Sequence, residues 1–307
     1  MAPRSGSLAR PAHQAGSSLP ELLVSTIILL SVMGAVTGMM LQMSNSHRAV
    51  WNRTEMHSAV RGATELLQQE VGQAGLVTLP GPITLTAAVP LGTQTVAVST
   101  IAGLFVGEQV AVDAGANQET VTLTAIGAGT VTATFTLPHA AGVGVTAVGG
   151  FASGVVPPTV ANGSTPSLLK LYGDVNGDGA MVYVEYTCNT ATGRLSRNMM
   201  PWTAAAKPAL TTGMVLLSNI VANPNGTPCF TYQTAVVNGT PFVLDVAITL
   251  TVRTQDIDPV TRQFLTETKT LLNVAPRNVF NTWELASIGE HNRVQPMPPS
   301  IQTLIGQ

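Results

Sequence analysis

From Leu22 to Ser46 the chain carries no Asp, Glu, Lys, Arg or His. At a rise of 1.5 Å per residue this run makes a helix about 37 Å long, enough to cross a hydrocarbon layer of about 30 Å. The pattern predicts one transmembrane helix, and no second run of this kind occurs. Beyond it the periodicity stays helical but turns amphipathic. Met56, Val60, Ala63, Leu67 and Val71 recur at spacings of four, three, four and four, while Arg53, Glu55, Arg61, Glu65 and Glu70 occupy other faces. Gly72 and Gly75, followed by Pro80 and Gly81, predict a stop near Gln73.

The period then falls to two. Thr95–Val98, Gln109–Val112 and Glu119–Thr124 alternate as half-buried strands do, punctuated by Gly103, Gly107, Gly115 and Gly127. Residues 83–150 therefore read as a small inserted β module, and 151–166, with Pro157-Pro158, Asn162-Gly163 and Pro166, as a linker. Strands resume over 167–289 at Leu168–Leu171, Met181–Tyr186, Val215–Ile220, Phe230–Gln233, Phe242–Arg253 and Glu267–Val274. Of these, the run from Pro241 to Arg253 is the longest and reads as the central strand. The last segment, 290–307, holds Pro296, Pro298 and Pro299 and is expected to be a flexible tail. The fold class predicted is α+β, a long N-terminal helix over 17–75 followed by a β-rich head.

Composition sharpens this picture. Only 10% of the 307 residues are charged, against about 25% in ordinary soluble domains, and mean hydropathy is +0.30. Between Val71 and Leu169 the only charged residues are Glu108, Asp113 and Glu119, so the module's surface has little charge to oppose association. A net charge of −2 with 14 thinly spread cations predicts no nucleic-acid partner, which would require a basic face. Five scattered histidines and two cysteines do not supply the ligand spacings of a zinc site.

The segment Met1 to Gly16 holds Arg4 and Arg10 and no acid, a cytoplasmic flank under the positive-inside rule, so the head is expected outside the cytoplasm. Gly16-Ser17-Ser18-Leu19-Pro20-Glu21-Leu22-Leu23 then places one carboxylate five residues past a glycine at the head of the membrane helix. This arrangement resembles the class III signal of type IV prepilins and type II secretion pseudopilins. The resemblance implies a leader over 1–16, cleavage between Gly16 and Ser17 by a prepilin peptidase, and methylation of the new terminus. It also implies that Glu21 neutralises the terminal ammonium of a neighbouring subunit, two charges costly alone in lipid becoming tolerable as a pair. Ser17 departs from the family's usual first mature residue, Phe, a variation more familiar in minor subunits. Gly34 and Gly38 form a G-x-x-x-G that would permit close helix approach or simply reflect glycine's frequency in membrane helices.

The stretch Glu65 to Gly75 and the C-terminal β region are similar to PilW-like minor pilins and J-type pseudopilins. What the resemblance implies is a minor pilin that initiates or caps a type IV pilus, or else a J-type pseudopilin. Its partners would be prepilin peptidase, other pilin subunits and inner-membrane lipid. It would reside in the inner membrane as a single-pass protein and then in the pilus or at the cell surface. A membrane-anchored adhesin or carbohydrate-binding protein is the alternative from another class.

Two further groups carry candidate chemistry. Asp174, Asn176 and Asp178, with Gly179, match the opening of a calcium loop, and Glu185 falls at the twelfth position. Six extended residues would carry Glu185 roughly 20 Å away, so it is not expected to close an EF-hand. A looser calcium site, as the one cofactor, and an Asx-rich hairpin turn both account for the same residues. Cys188 and Cys229, in neighbouring β segments outside the cytoplasm, predict a disulfide, the alternative being two buried thiols. Nucleophile elbows and Walker loops are absent from the sequence, Gly142–Ala147 lacks the helix a dinucleotide fingerprint needs, and Asp256 and Asp258 sit in a turn beside Pro259. No enzymatic activity is expected.

Overall fold

The computed structural model describes residue 16 and residues 18–307. The leader residues 1–15, with Arg4 and Arg10, and Ser17 lie outside the described residues.

A single helix, α1 (Leu19–Gln73), is followed by a β-rich head. With Pro20 in its first turn and none thereafter, nothing in its sequence interrupts it over 55 residues. Its two halves differ as the pattern predicts. No residue of α1 before Ala49 is buried, whereas Met56, Val60, Ala63, Leu67 and Val71 all enter the main core. There they meet Leu169, Leu171, Val184, Tyr186, Phe230 and Ile248. Removing each such side chain from water contributes about 1.5–3 kcal/mol, which attaches the second half of α1 to the head.

The helix ends where backbones touch. Gly75, at φ +85°, donates its N–H to Tyr172 O at 2.9 Å and accepts from Phe151 N at 2.9 Å. A Cβ on Gly154 would lie 2.2 Å from Gly75 Cα, so only glycine fits this crossing.

Residues 83–147 then form two small sheets around a core of their own. One contains β1 (Ile83–Thr84), β7 (Gly144–Ala147), β3 (Gln109–Val112) and β4 (Glu119–Thr122) in that order. The other contains β2 (Gly92–Ala97), β6 (Thr130–Phe135) and β5 (Ala125–Gly127). Val110, Val121, Leu123, Val131, Phe135 and Val145 fill the space between.

The head proper has two further sheets. β9 (Leu168–Gly173), β10 (Val182–Asn189), β11 (Arg194–Pro201) and β12 (Val215–Ser218) form the first, in the order β12-β11-β10-β9. In the second, β15 (Thr240–Arg253) is central and pairs with β13 (Ile220–Val221), β14 (Phe230–Val237) and β16 (Thr266–Val274).

Four features correct the sequence reading. The strand β11 was not anticipated, because Arg194, Arg197 and Asn198 obscure its alternation; it forms through a register that pairs all eight of its residues with β10. Helix α2 (Arg277–Ser287) follows β16, where a continuation of the β region was expected. Residues 151–166 are no linker through solvent: 151–157 are all buried, and β8 (Gly150–Phe151) pairs in parallel with β17 (Val294–Gln295). Finally, 290–307 is not a flexible tail. After β17 it forms α3 (Pro299–Ile305), whose Ile301, Leu304 and Ile305 are buried with Phe105, Phe151 and Tyr172. The prolines that suggested fraying sit before α3 and at its first position, where a missing N–H costs nothing.

Candidate functional site

The feature of the molecule that most demands an external partner is the first half of α1. Its most apolar 18-residue window has a mean hydropathy of 2.1 and none of it is buried in the chain. By length and composition this helix can cross a membrane. From Leu19 to Arg48, thirty residues extend about 45 Å without touching the core. Three of its hydroxyls are satisfied locally: Ser25, Thr26 and Ser31 donate to the carbonyls of Leu22, Leu23 and Ile27 at 3.0, 2.9 and 2.8 Å. Such bonding lets hydroxyls sit in hydrocarbon without an unpaired donor.

Gly16 is exposed ahead of the helix, and Ser18 enters it with extended backbone at ψ 148°. Glu21 is exposed in the first turn, where the unpaired N–H groups favour a negative charge. Gly34 and Gly38 face open space, with nothing within 4 Å of a built Cβ, so a neighbouring helix has room to approach.

In the head, Cys188 and Cys229 are joined, with an S–S distance of 2.02 Å. This links β10 to the residue before β14, and so one head sheet to the other. The Asp174 carboxylate accepts the N–H of Asp178 at 3.0 Å and of Gly179 at 2.9 Å, and Asp178 accepts Ala180 N–H at 3.0 Å. Asn176 turns away to the Met199 sulfur at 3.9 Å. These bonds give the loop the geometry of an Asx-closed turn. Glu185 accepts from the Lys207 ammonium at 2.6 Å and the Tyr183 hydroxyl, with Lys170 Nζ at 3.6 Å. Burial and the Lys207 charge lower the Lys170 ammonium from its usual range, against the pull of Glu185.

One constellation escaped the sequence reading. His139, its side chain fully buried, spans two of the module's three acids, with Nδ1 3.3 Å from Asp113 Oδ2 and Nε2 2.7 Å from Glu119 Oε1. Burial works to raise the Glu119 carboxyl, but hydrogen bonds from Thr136, His139 and Leu137 outweigh it and hold it below its ordinary value. Because the two carboxylates address opposite nitrogens, the trio ties β4 to the segment after β6 and offers no single point for an ion. Among the described residues no group of three His, Cys, Asp or Glu converges for a metal. The signal available in the sequence was the scarcity of charge itself: a segment with three acids and no Lys or Arg holds one histidine, and two of those acids meet it.

Comparison of the chain with protein-family profiles, with curated proteins and with solved structures returned no match.

Proposed function

We propose that the chain is a pilin-like subunit, a PilW-like minor pilin of a type IV pilus, processed after Gly16 and built into the filament through the first half of α1. The observation that carries this reading is the exposed, uncharged helix with Glu21 in its first turn, projecting from a head to which its second half is packed. Such a helix has two environments that remove its apolar surface from water: lipid before assembly, and the helices of neighbouring subunits afterwards. Glu21 supplies the polar contact specific to the second, accepting the terminal ammonium of an adjacent subunit in low dielectric. The disulfide supports a head located outside the cytoplasm. The subunit acts by assembly and not by catalysis.

The test is the amino terminus itself, mapped by mass spectrometry from cells with and without prepilin peptidase. A methylated Ser17 terminus in the first and Met1 in the second is expected; Met1 in both would overturn the reading. Glu21→Ala should leave cleavage intact and reduce recovery of the subunit in sheared filaments.

A further inference from the structure

Where α1 leaves its uncharged stretch, the first part of the head it meets is the loop 254–265 joining β15 to β16. The contacts run in order along the helix. Asp256, Ile257 and Pro259 line a cleft with His47, Arg48, Trp51 and Asn52. Glu267 then pairs with His57, and Lys269 and Leu271 lie beside Arg61, Thr64 and Gln68. The loop is thus the part of the head nearest to the apolar half of the helix.

Its shape is fixed by Asp258, which is 1% exposed. Oδ1 accepts the N–H groups of Val260 and Thr261, both at 2.8 Å, and Oδ2 faces the Arg53 guanidinium at 3.5 Å. Asp258 N–H donates to Gln263 O at 3.0 Å and its own carbonyl accepts Arg262 N–H at 2.8 Å. A turn so built would ordinarily present polar residues to water. This one presents Ile257 and Val260, which are 53% and 73% exposed. Ile257 lines the cleft with Trp51, itself 72% exposed, and Val50, the residue before Trp51, is 64% exposed.

Depth along the helix gives these four residues a common partner. Trp51 lies five residues past Ser46, about 7 Å along the axis, which is headgroup depth if the uncharged run fills the hydrocarbon layer. Tryptophan concentrates there because its ring is apolar and its N–H is not. The neighbouring charges nearly cancel, Arg48, Arg53, Arg253 and Arg262 against Glu55, Asp256 and Asp258, so apolar burial and not attraction to anionic lipid is the main available driving force.

We propose that Val50, Trp51, Ile257 and Val260 form one lipid-docking surface that beds into the headgroup boundary of the bilayer anchoring α1, seating the head on the membrane until the subunit is withdrawn into a filament. The proposal rests on the membrane reading of α1 given above.

The test uses the full chain, disulfide intact, in phosphatidylcholine vesicles, with an environment-sensitive fluorophore on a single introduced cysteine. Val260→Cys reports the loop, Val36→Cys the middle of the span, and Val236→Cys on β14 the aqueous side of the head. Shallow spin-labelled lipid is expected to quench position 260 at least twofold more than position 236, with a blue-shifted emission lost on Ile257→Asp. Position 36 is expected to respond to deeply labelled lipid. A water-like, unquenched position 260 with a quenched position 36 would overturn the docking surface while leaving the anchor intact. An unquenched position 36 would overturn both. Protection of position 260 that scales with protein density in the vesicle, and not with lipid label, would assign the surface to a second copy of the chain and overturn the proposal.

Discussion

The Arg197 guanidinium holds the Glu70 carboxylate through two nitrogens, Nε at 3.2 Å from Oε2 and Nη2 against Oε1, while the Tyr186 hydroxyl donates to the same Oε2. Glu70 is 1% exposed and stands one turn before the end of α1; Tyr186 and Arg197 face each other across β10 and β11. A charge thus buried is tolerable only while paired and fully hydrogen-bonded. Arg197→Met should destabilise the detergent-solubilised chain by about 3–5 kcal/mol, because it leaves Glu70 buried without its counter-charge. Combining it with Glu70→Gln should cost less than the two single changes added together, read by denaturant midpoints. Strict additivity would mean that the pair does not act as a unit.

The covalent link between the two head sheets makes a separate contribution. The bridged residues are 41 apart in sequence, and closing a loop of that length removes about 4 kcal/mol of denatured-state freedom in the chain-entropy account. Reduction, or Cys188→Ala with Cys229→Ala, should lower the denaturation midpoint accordingly. Two free thiols titrating in unreduced protein would contradict the link.

The sequence revealed those features whose cause is local. A charge-free run and a four-three-four-four spacing depend on nothing but neighbours in the chain, so both halves of α1 could be read directly. The same holds for β15, a long apolar run bounded by Pro241 and Arg253. What could not be read was fixed by distant partners. β11 exists because β10 offers it a full register, and α2 buries only Val279, Thr282 and Ala286 of its 11 residues. Glu70 finds Arg197 across 127 positions, and His139 finds Asp113 and Glu119 across 26 and 20. At the N-terminus the residues that carry the proposed processing, Gly16, Ser17 and Glu21, are neighbours in the chain, so their pattern is legible without a fold. The loop 254–265 reads in sequence only as acids beside a proline, because its exposure of Ile257 and Val260 depends on the turn that Asp258 closes.

Stability should depend on pH through Glu108, at the junction of the β module and the head. The side chain is fully buried; Oε2 accepts Phe105 N–H at 3.1 Å, and Oε1 has no hydrogen-bond partner among the described residues. Burial pushes its carboxyl up from 4.5 to about 8, against the Phe105 hydrogen bond. Between those values the unfolded chain has released the proton that the folded chain keeps. Its contribution therefore falls as pH rises from about 5 to about 8 and levels off above. Thermal midpoints in detergent should show this slope, and Glu108→Gln should flatten it. A variant as steep as the parent would place the titration elsewhere.

The C-terminal segment gives the most direct check on the packing of the head. Seven residues are too few to hold a helix alone, so α3 persists only through what it buries. Ile301 and Leu304 are fully buried, and the Ile305 carbonyl accepts Lys170 Nζ at 3.2 Å. Upstream, Gln295 has no exposed surface and clamps the module to the head: its Oε1 accepts Gln109 N–H at 2.9 Å, and its Nε2 donates to Gln109 O at 2.6 Å and Val148 O at 2.7 Å. Leu304→Ala should cost roughly 2–5 kcal/mol, as deletions of buried side chains do. Amides of α3 should be protected from hydrogen exchange together with those of β8, since the two share one apolar cluster through Phe151. Exchange of α3 at the rate of an unstructured peptide, with a cost below about 0.5 kcal/mol for Leu304→Ala, would return the segment to a free tail.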